Sequence, residues 1–145
     1  MMHFKVELVD ENAVMPFRAF PEDAGFDLVL PNDIIIWPGE VVVADLGFII
    51  ELKQGYEAQI RSRSSIASKF KVIVVNGVGT IDSKYRGHVM VALMNLCNEK
   101  KEFVKGTKIA QMVICKLPDV EIFKGTITEL TNRGVGGFGS TGEGV

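Results

Sequence analysis

Asn76-Gly77-Val78-Gly79-Thr80-Ile81-Asp82-Ser83-Lys84-Tyr85-Arg86-Gly87 lies between two apolar runs, Val72 to Val75 and Val89 to Met94. Both runs read as buried strands, so the stretch between them reads as a hairpin. Hairpin tips need residues that accept positive φ, and Gly77, Gly79 and Gly87 supply them. Glycine also lets backbone come close to a ligand. A carboxylate (Asp82), a phenol (Tyr85) and a guanidinium (Arg86) stand at the tip. On these residues alone a polar turn and a binding site fit equally well, because loops on rigid scaffolds carry much of protein function.

On both sides of this hairpin, short β-rich runs recur, broken by Gly, Pro, Asn and Asp. Phe4 to Val9 alternates apolar and charged residues, the mark of a half-buried strand. Phe26 to Leu30 and Ile34 to Trp37 each close on a proline, and Pro38-Gly39 signals a turn before Val41 to Ala44. Leu46 to Leu52 follows, and then Tyr56 to Arg61, with Tyr56, Ala58 and Ile60 on the inner face. His88 to Cys97 and Ile109 to Leu117 are apolar enough to be buried on both faces, and Val120 to Leu130 is a weaker strand interrupted by Gly125. Only Ser64 to Lys69 reads as helical, one or two turns that Ser64 is placed to cap. The expected fold is all-β, a jelly-roll-like sandwich or barrel with one short helix.

The chain has 145 residues, enough for a single domain with a full core, and 47% of them are hydrophobic against 23% charged. A formal net charge of −2 argues against stable nucleic-acid binding, which needs a strong basic face. No apolar run is long enough to span a membrane and the first residues lack a signal-peptide core, so a cytoplasmic protein is expected. Cys97 and Cys115 read as reduced core residues, and His3 and His88 fit no zinc spacing. A participating metal would therefore arrive on a phosphate ligand.

Four further segments carry chemistry. Arg61-Ser62-Arg63-Ser64-Ser65 places two arginines before a helix N-terminus, which favours an anion or is simply a solvated turn. Asp27, within Ala24-Gly25-Phe26-Asp27-Leu28, interrupts an apolar stretch, and Gln111 falls in a buried-looking strand where its amide needs partners. From Arg133 to Gly142, five of ten residues are glycine. Such a tail is costly to order and expected to be mobile when free. It is either a frayed end or a clamp in which Arg133, Phe138, Gly139, Ser140 and Thr141 meet a phosphorylated ligand. It lacks the lysine and the helix of a Walker-type phosphate loop.

In this order the segments resemble the five motifs of the trimeric dUTPase family. Ala24 to Leu28 is similar to the first and Arg63-Ser64-Ser65-Ile66-Ala67 to the second, with Ser65 where many members carry Gly. Gly79 to Gly87 is similar to the third. Lys105 to Gln111 is similar to the fourth, with Thr107-Lys108 where members usually carry Asp-Arg. Arg133 to Gly142 is similar to the fifth. The resemblance covers nearly the whole chain. It implies a β-rich domain over residues 1–131, an arm over residues 132–145, and a homotrimer whose active sites are shared between chains. The first, second and fourth motifs would come from one chain, the third from another and the arm from the last.

The implied reaction splits dUTP into dUMP and pyrophosphate with Mg²⁺ on the triphosphate. In the roles that the resemblance implies, Asp82 orients and deprotonates the attacking water. Arg63, Ser64, Ser65, Gln111, Arg133, Gly139, Ser140 and Thr141 hold the substrate's phosphates. Asp27 acts through the metal's water shell. Backbone from Asn76 through Gly79, Thr80 and Ile81 reads uracil, Tyr85 packs under the deoxyribose, and Phe138 closes over the base. Arg86 is expected in a structural ion pair.

A dCTP deaminase shares the fold and an Arg-Ser-Ser-like second motif, but its pattern needs a glutamate in the strand after the third motif. Ala92 stands at that place. A nucleotide-sensing module and a structural jelly roll explain the strands but leave an intact Asp82 and the tail without purpose.

Overall fold

A computed structural model describes residues 3–137. Phe138, Gly139, Ser140 and Thr141 lie outside the described residues. Eleven strands run β1 (Lys5–Leu8), β2 (Phe26–Val29), β3 (Ile34–Ile36), β4 (Val41–Asp45), β5 (Phe48–Glu51), β6 (Tyr56–Ser62), β7 (Val72–Val74), β8 (Val78–Asp82), β9 (Met90–Asn95), β10 (Lys101–Phe103) and β11 (Lys108–Lys116). One sheet has the order β2-β11-β6-β8 and a second β4-β9-β7, while β1-β5 and β10-β3 form two-stranded ribbons. Every pairing is antiparallel. This is the expected jelly-roll-like arrangement.

Leu28, Ile36, Phe48, Ile50, Ile60, Leu93, Ile109 and Met112 fill the core between the sheets. Burial of such side chains is the main favourable term, roughly 1.5–3 kcal/mol each. Asn95 is the one buried polar residue among those described, and its amide is fully used. Its Nδ2 donates to the carbonyls of Ile36 at 2.9 Å and Glu99 at 2.7 Å, and its Oδ1 accepts from the Cys97 amide at 2.8 Å. It ties β9 to β3 and shapes the turn into β10.

Several expectations need correction. The stretch from Asn76 to Gly87 is not a simple hairpin tip. β7 and β9 do pair, Val74 facing Leu93, but the segment between them leaves that sheet and adds β8 to the edge of the other, beside β6. Gly77, at φ 73°, makes the turn that permits this crossing. β9 alternates between buried and accessible positions instead of burying both faces. The short helix, Ile66–Phe70, is of π type and has no side-chain cap, so Ser64 does not cap it. It ends at Lys71, which has φ 53°.

Val120 to Leu130 forms no strand and pairs with nothing among the described residues; Ile122, Ile127 and Leu130 are at least 90% exposed. β10 escaped the sequence reading because three residues carry too little pattern. Cys97 and Cys115 are free thiols, as expected, but half-buried instead of core.

Candidate active site

β2, β6 and β11 are neighbours, and their common end gathers Asp27, Arg63 and Gln111. With Asp23, Ala24, Gly25, Ser64 and Ser65 they line a cavity of about 250 Å³. Gln111 sits opposite Asp27 on β2 and Arg61 on β6. Its Nε2 donates to the Ser62 carbonyl at 2.9 Å, which answers the question of what satisfies this amide. The rest of the side chain lies over Gly25, where any Cβ would press on Gln111 Oε1. Gly25 is therefore glycine for want of space.

Asp27 is pinned between two cations. Oδ1 is 3.0 Å from Arg63 Nε and Oδ2 is 2.7 Å from Lys108 Nζ. Arg63 Nη1 also donates to the Lys108 carbonyl at 2.9 Å. Two edges of the guanidinium are thus engaged, so the group is held in one orientation at the cavity wall. Preorganised charge of this kind favours an anion without reorganisation. Lys108, which the sequence marked only as a departure, keeps a cation beside Asp27 and lies 4.7 Å over the Phe17 ring. Thr107 donates through Oγ1 to the Val104 carbonyl at 2.7 Å and braces the preceding turn.

The second group lies elsewhere. Thr80, Ile81, Asp82, Tyr85, His88, Val89 and Met90 line a cavity of about 280 Å³. Asp82 ends β8, is exposed, and forms no ion pair with the described residues. The chain turns at once, with the Tyr85 amide donating to the Asp82 carbonyl at 3.0 Å. Gly79 faces Ile60 across β6, where a Cβ would come within 3.2 Å of the Ile60 Cβ. Asn76 is exposed at the β7–β8 turn. Arg86 makes no ion pair with the described residues; its Nη1 donates to the carbonyls of Ser83 at 2.8 Å and Tyr85 at 2.7 Å and so closes the loop.

The register separates the two groups. Asp82 pairs with Glu57 near the start of β6, whereas Arg63 follows the end of β6. Six residue steps from Glu57 to Arg63 put the two about 20 Å apart. Arg133 lies on a separate exposed turn, where its Nε donates to the Gly136 carbonyl at 3.0 Å.

The model of the dUTPase family matches residues 11–142. The chain belongs to the dUTPase family. The deoxyuridine 5'-triphosphate nucleotidohydrolase of Nautilia profundicola is 44% identical over 142 residues, covering 98% of this chain and 100% of that one. The fold is also that of Staphylococcus bacteriophage 80alpha dUTPase with dUpNHpp, with a TM-score of 0.90, 24% identity, and coverage of 99% of this chain and 100% of that one. An Asp-to-Asn mutant of the dUTPase from phage phi11 of S. aureus, described with a coordinated structural Mg(II) ion, has a TM-score of 0.82 at 23% identity, covering 88% of this chain and 99% of that one.

Within this dUTPase-family chain, the carboxylates at the first cavity are already engaged by other groups. Asp27 is occupied by Arg63 and Lys108, and Asp23 Oδ2 accepts the Phe20 amide at 3.0 Å. No three metal-ligating side chains converge among the described residues. No described helix is long and apolar enough to cross a membrane.

Proposed function

We propose that the chain hydrolyses dUTP to dUMP and pyrophosphate as a homotrimer with sites shared between subunits, taking the substrate as its Mg²⁺ complex. The reaction keeps uracil out of DNA and supplies dUMP for thymidylate synthesis in the cytoplasm. The observation that carries the shared site is the span of about 20 Å between Arg63 and Asp82 along β6. A triphosphate gripped at Arg63 cannot present its α-phosphorus to Asp82 of the same chain. A neighbouring subunit must bring one half to the other.

Two surfaces support assembly. Val41, Val43 and Met90 leave an apolar outer face on the β4-β9-β7 sheet, and the run from Val120 to Leu130 exposes large apolar side chains with no partner among the described residues. Apolar surface of this extent marks a protein–protein contact.

In the site so completed, Asp82 accepts a proton from a water aimed at the α-phosphorus. The new bond is water oxygen to phosphorus; the bond broken joins that phosphorus to the bridging oxygen, and pyrophosphate departs. Magnesium, when bound, neutralises charge on the phosphate oxygens. Arg63, fixed by Asp27 and the Lys108 carbonyl, holds the phosphates with the hydroxyls of Ser64 and Ser65 beside it, and Gln111 completes the wall. Asp27 would meet the metal only through water. Arg133 and the arm beyond it would add charge and hydroxyls from the last subunit. Main chain from Asn76 to Ile81 would read uracil and Tyr85 would exclude a 2′-hydroxyl. Deamination is disfavoured because β9 carries no carboxylate.

The test is a substrate panel. Pyrophosphate release is expected from dUTP and should be at least tenfold slower, roughly, from dTTP, dCTP and UTP. Equal turnover of UTP, or ammonia release from dCTP, would overturn the reading.

A further inference from the structure

Tyr85 is 44% exposed, so core packing does not hold it. Its ring leans on Gly87, where any Cβ would collide with the phenol. Its hydroxyl donates to the main-chain carbonyl of His88 at 3.1 Å. The place of the phenol therefore depends on the place of the His88 peptide. That peptide begins the approach to β9 and is anchored through its own side chain, since His88 Nδ1 lies 2.7 Å from Asp45 Oδ2. Asp45 ends β4, and its other oxygen accepts the Gly47 amide at 2.8 Å. Gly47 has φ 71°, which a side chain would strain, and lets the β4–β5 turn close on the carboxylate. The same turn is bonded to the residue after the histidine: Leu46 N donates to Val89 O at 3.0 Å, and Val89 N to Phe48 O at 2.8 Å. His88 also lines the cavity that holds Asp82 and Tyr85.

We propose that His88, oriented by Asp45, is a positioning residue for Tyr85 and through it a determinant of the preference for 2′-deoxyribose over ribose. The inference rests on the reading that Tyr85 lies under the sugar. A steric filter against one hydroxyl works only if the ring cannot yield, and a misplacement of about 1 Å is enough to change rates up to a hundredfold. The Tyr85 hydroxyl has one protein partner among the described residues, the carbonyl of His88. With Asp45 ionised, the imidazole carries its proton on Nδ1 and donates it to the carboxylate, which fixes the ring and with it the peptide. Burial works against ionisation of Asp45, but the Gly47 amide and His88 outweigh it and hold the carboxyl below its ordinary range.

The experiment compares kcat/KM for dUTP with kcat/KM for UTP in the wild type, His88→Ala, Asp45→Ala, the double variant, His88→Asn and Tyr85→Ala. Either alanine should reduce the dUTP preference by about tenfold, chiefly through faster use of UTP. The double variant should lose no more than either single one, because both remove the same pair. His88→Asn should restore the preference, since its amide nitrogen stands near Nδ1 and can donate to Asp45. If one alanine variant fails to fold in a thermal melt, the other removes the same pair and gives the same readout.

A merely structural pair would slow both substrates together and leave the ratio unchanged, and that result overturns the proposal. If Tyr85→Ala relaxes the preference while His88→Ala and Asp45→Ala do not, the positioning role falls and the sugar reading stands. If Tyr85→Ala leaves the preference intact, both fall.

Discussion

Two dead variants should repair each other if each site takes Arg63 from one chain and Asp82 from a neighbour. The first variant is Asp82→Asn, which keeps the shape and loses the base; its rate should drop at least about 100-fold. The second is Arg63→Ala, which removes a preorganised cation and should lose roughly 100–1000-fold. Arg63→Ala does not orphan Asp27, because Lys108 remains 2.7 Å away, so the subunit should still fold. An equal mixture is unfolded and refolded so that chains assort at random. A site works when the chain offering Arg63 is the Asn variant and the neighbour offering Asp82 is the Ala variant. Each condition is met half the time, so about one quarter of wild-type activity is expected in a closed ring. The assay is pyrophosphate release, with the unmixed variants and an unrefolded mixture as baselines. Activity no higher than the two parents' mean would show that Arg63 and Asp82 serve from one chain, despite their separation along β6.

Three other outcomes follow from the geometry. Gly25→Ala should cost about 1–3 kcal/mol by forcing Gln111 aside, and a Gln111→Ala background should relieve most of that cost in thermal melts. Asn95→Ala should strip partners from the Ile36 and Glu99 carbonyls and the Cys97 amide. That loss should be about 3 kcal/mol, seen as a fall of roughly 10 °C in Tm. Asp45, whose folded pKa lies below its ordinary 3.8, adds stability that is present above that value and disappears as pH falls through the lowered pKa. The melting difference between wild type and Asp45→Asn should therefore vanish on the acid side; a difference that persisted at the lowest pH would contradict this.

Strand existence was legible where alternation was long, as from Tyr56 to Arg61, and illegible in β10, whose three residues carry no period. The crossing of the Asn76–Gly87 segment between sheets was hidden, because glycine and apolar flanks signal a turn but not which sheet the next strand joins. Gln111, Asp27 and Arg63 announced themselves as polar groups in apolar or basic settings, and the structure brings them together. Lys108 was visible only as a departure from a motif, since its pairing with Asp27 depends on β2 and β11 being neighbours. The Asp45–His88 contact spans 43 residues and follows no local pattern. The run from Val120 to Leu130 looked like a strand because its composition is that of one; what it lacks is a partner among the described residues.

The place of β11 in its sheet has a consequence for synthesis. β11 lies between β2 and β6, yet it is the last strand to leave the ribosome among those described. β2 therefore emerges nearly 80 residues before the strand that covers its edge, a wait of about 4–16 s at ordinary translation speeds. During that interval the edges of β2 and β6 that β11 will cover are without their final partner. Once β11 docks, the sheet closes in one late step, and only then does the apolar run from Val120 onward emerge. A ribosome that stops before Lys116 leaves a product that cannot seal its own sheet. One that stops soon after it releases a chain that contains β11 but lacks the apolar run from Val120 to Leu130. The point of premature termination, before or after β11, thus decides whether a truncated product contains the strand that joins β2 to β6.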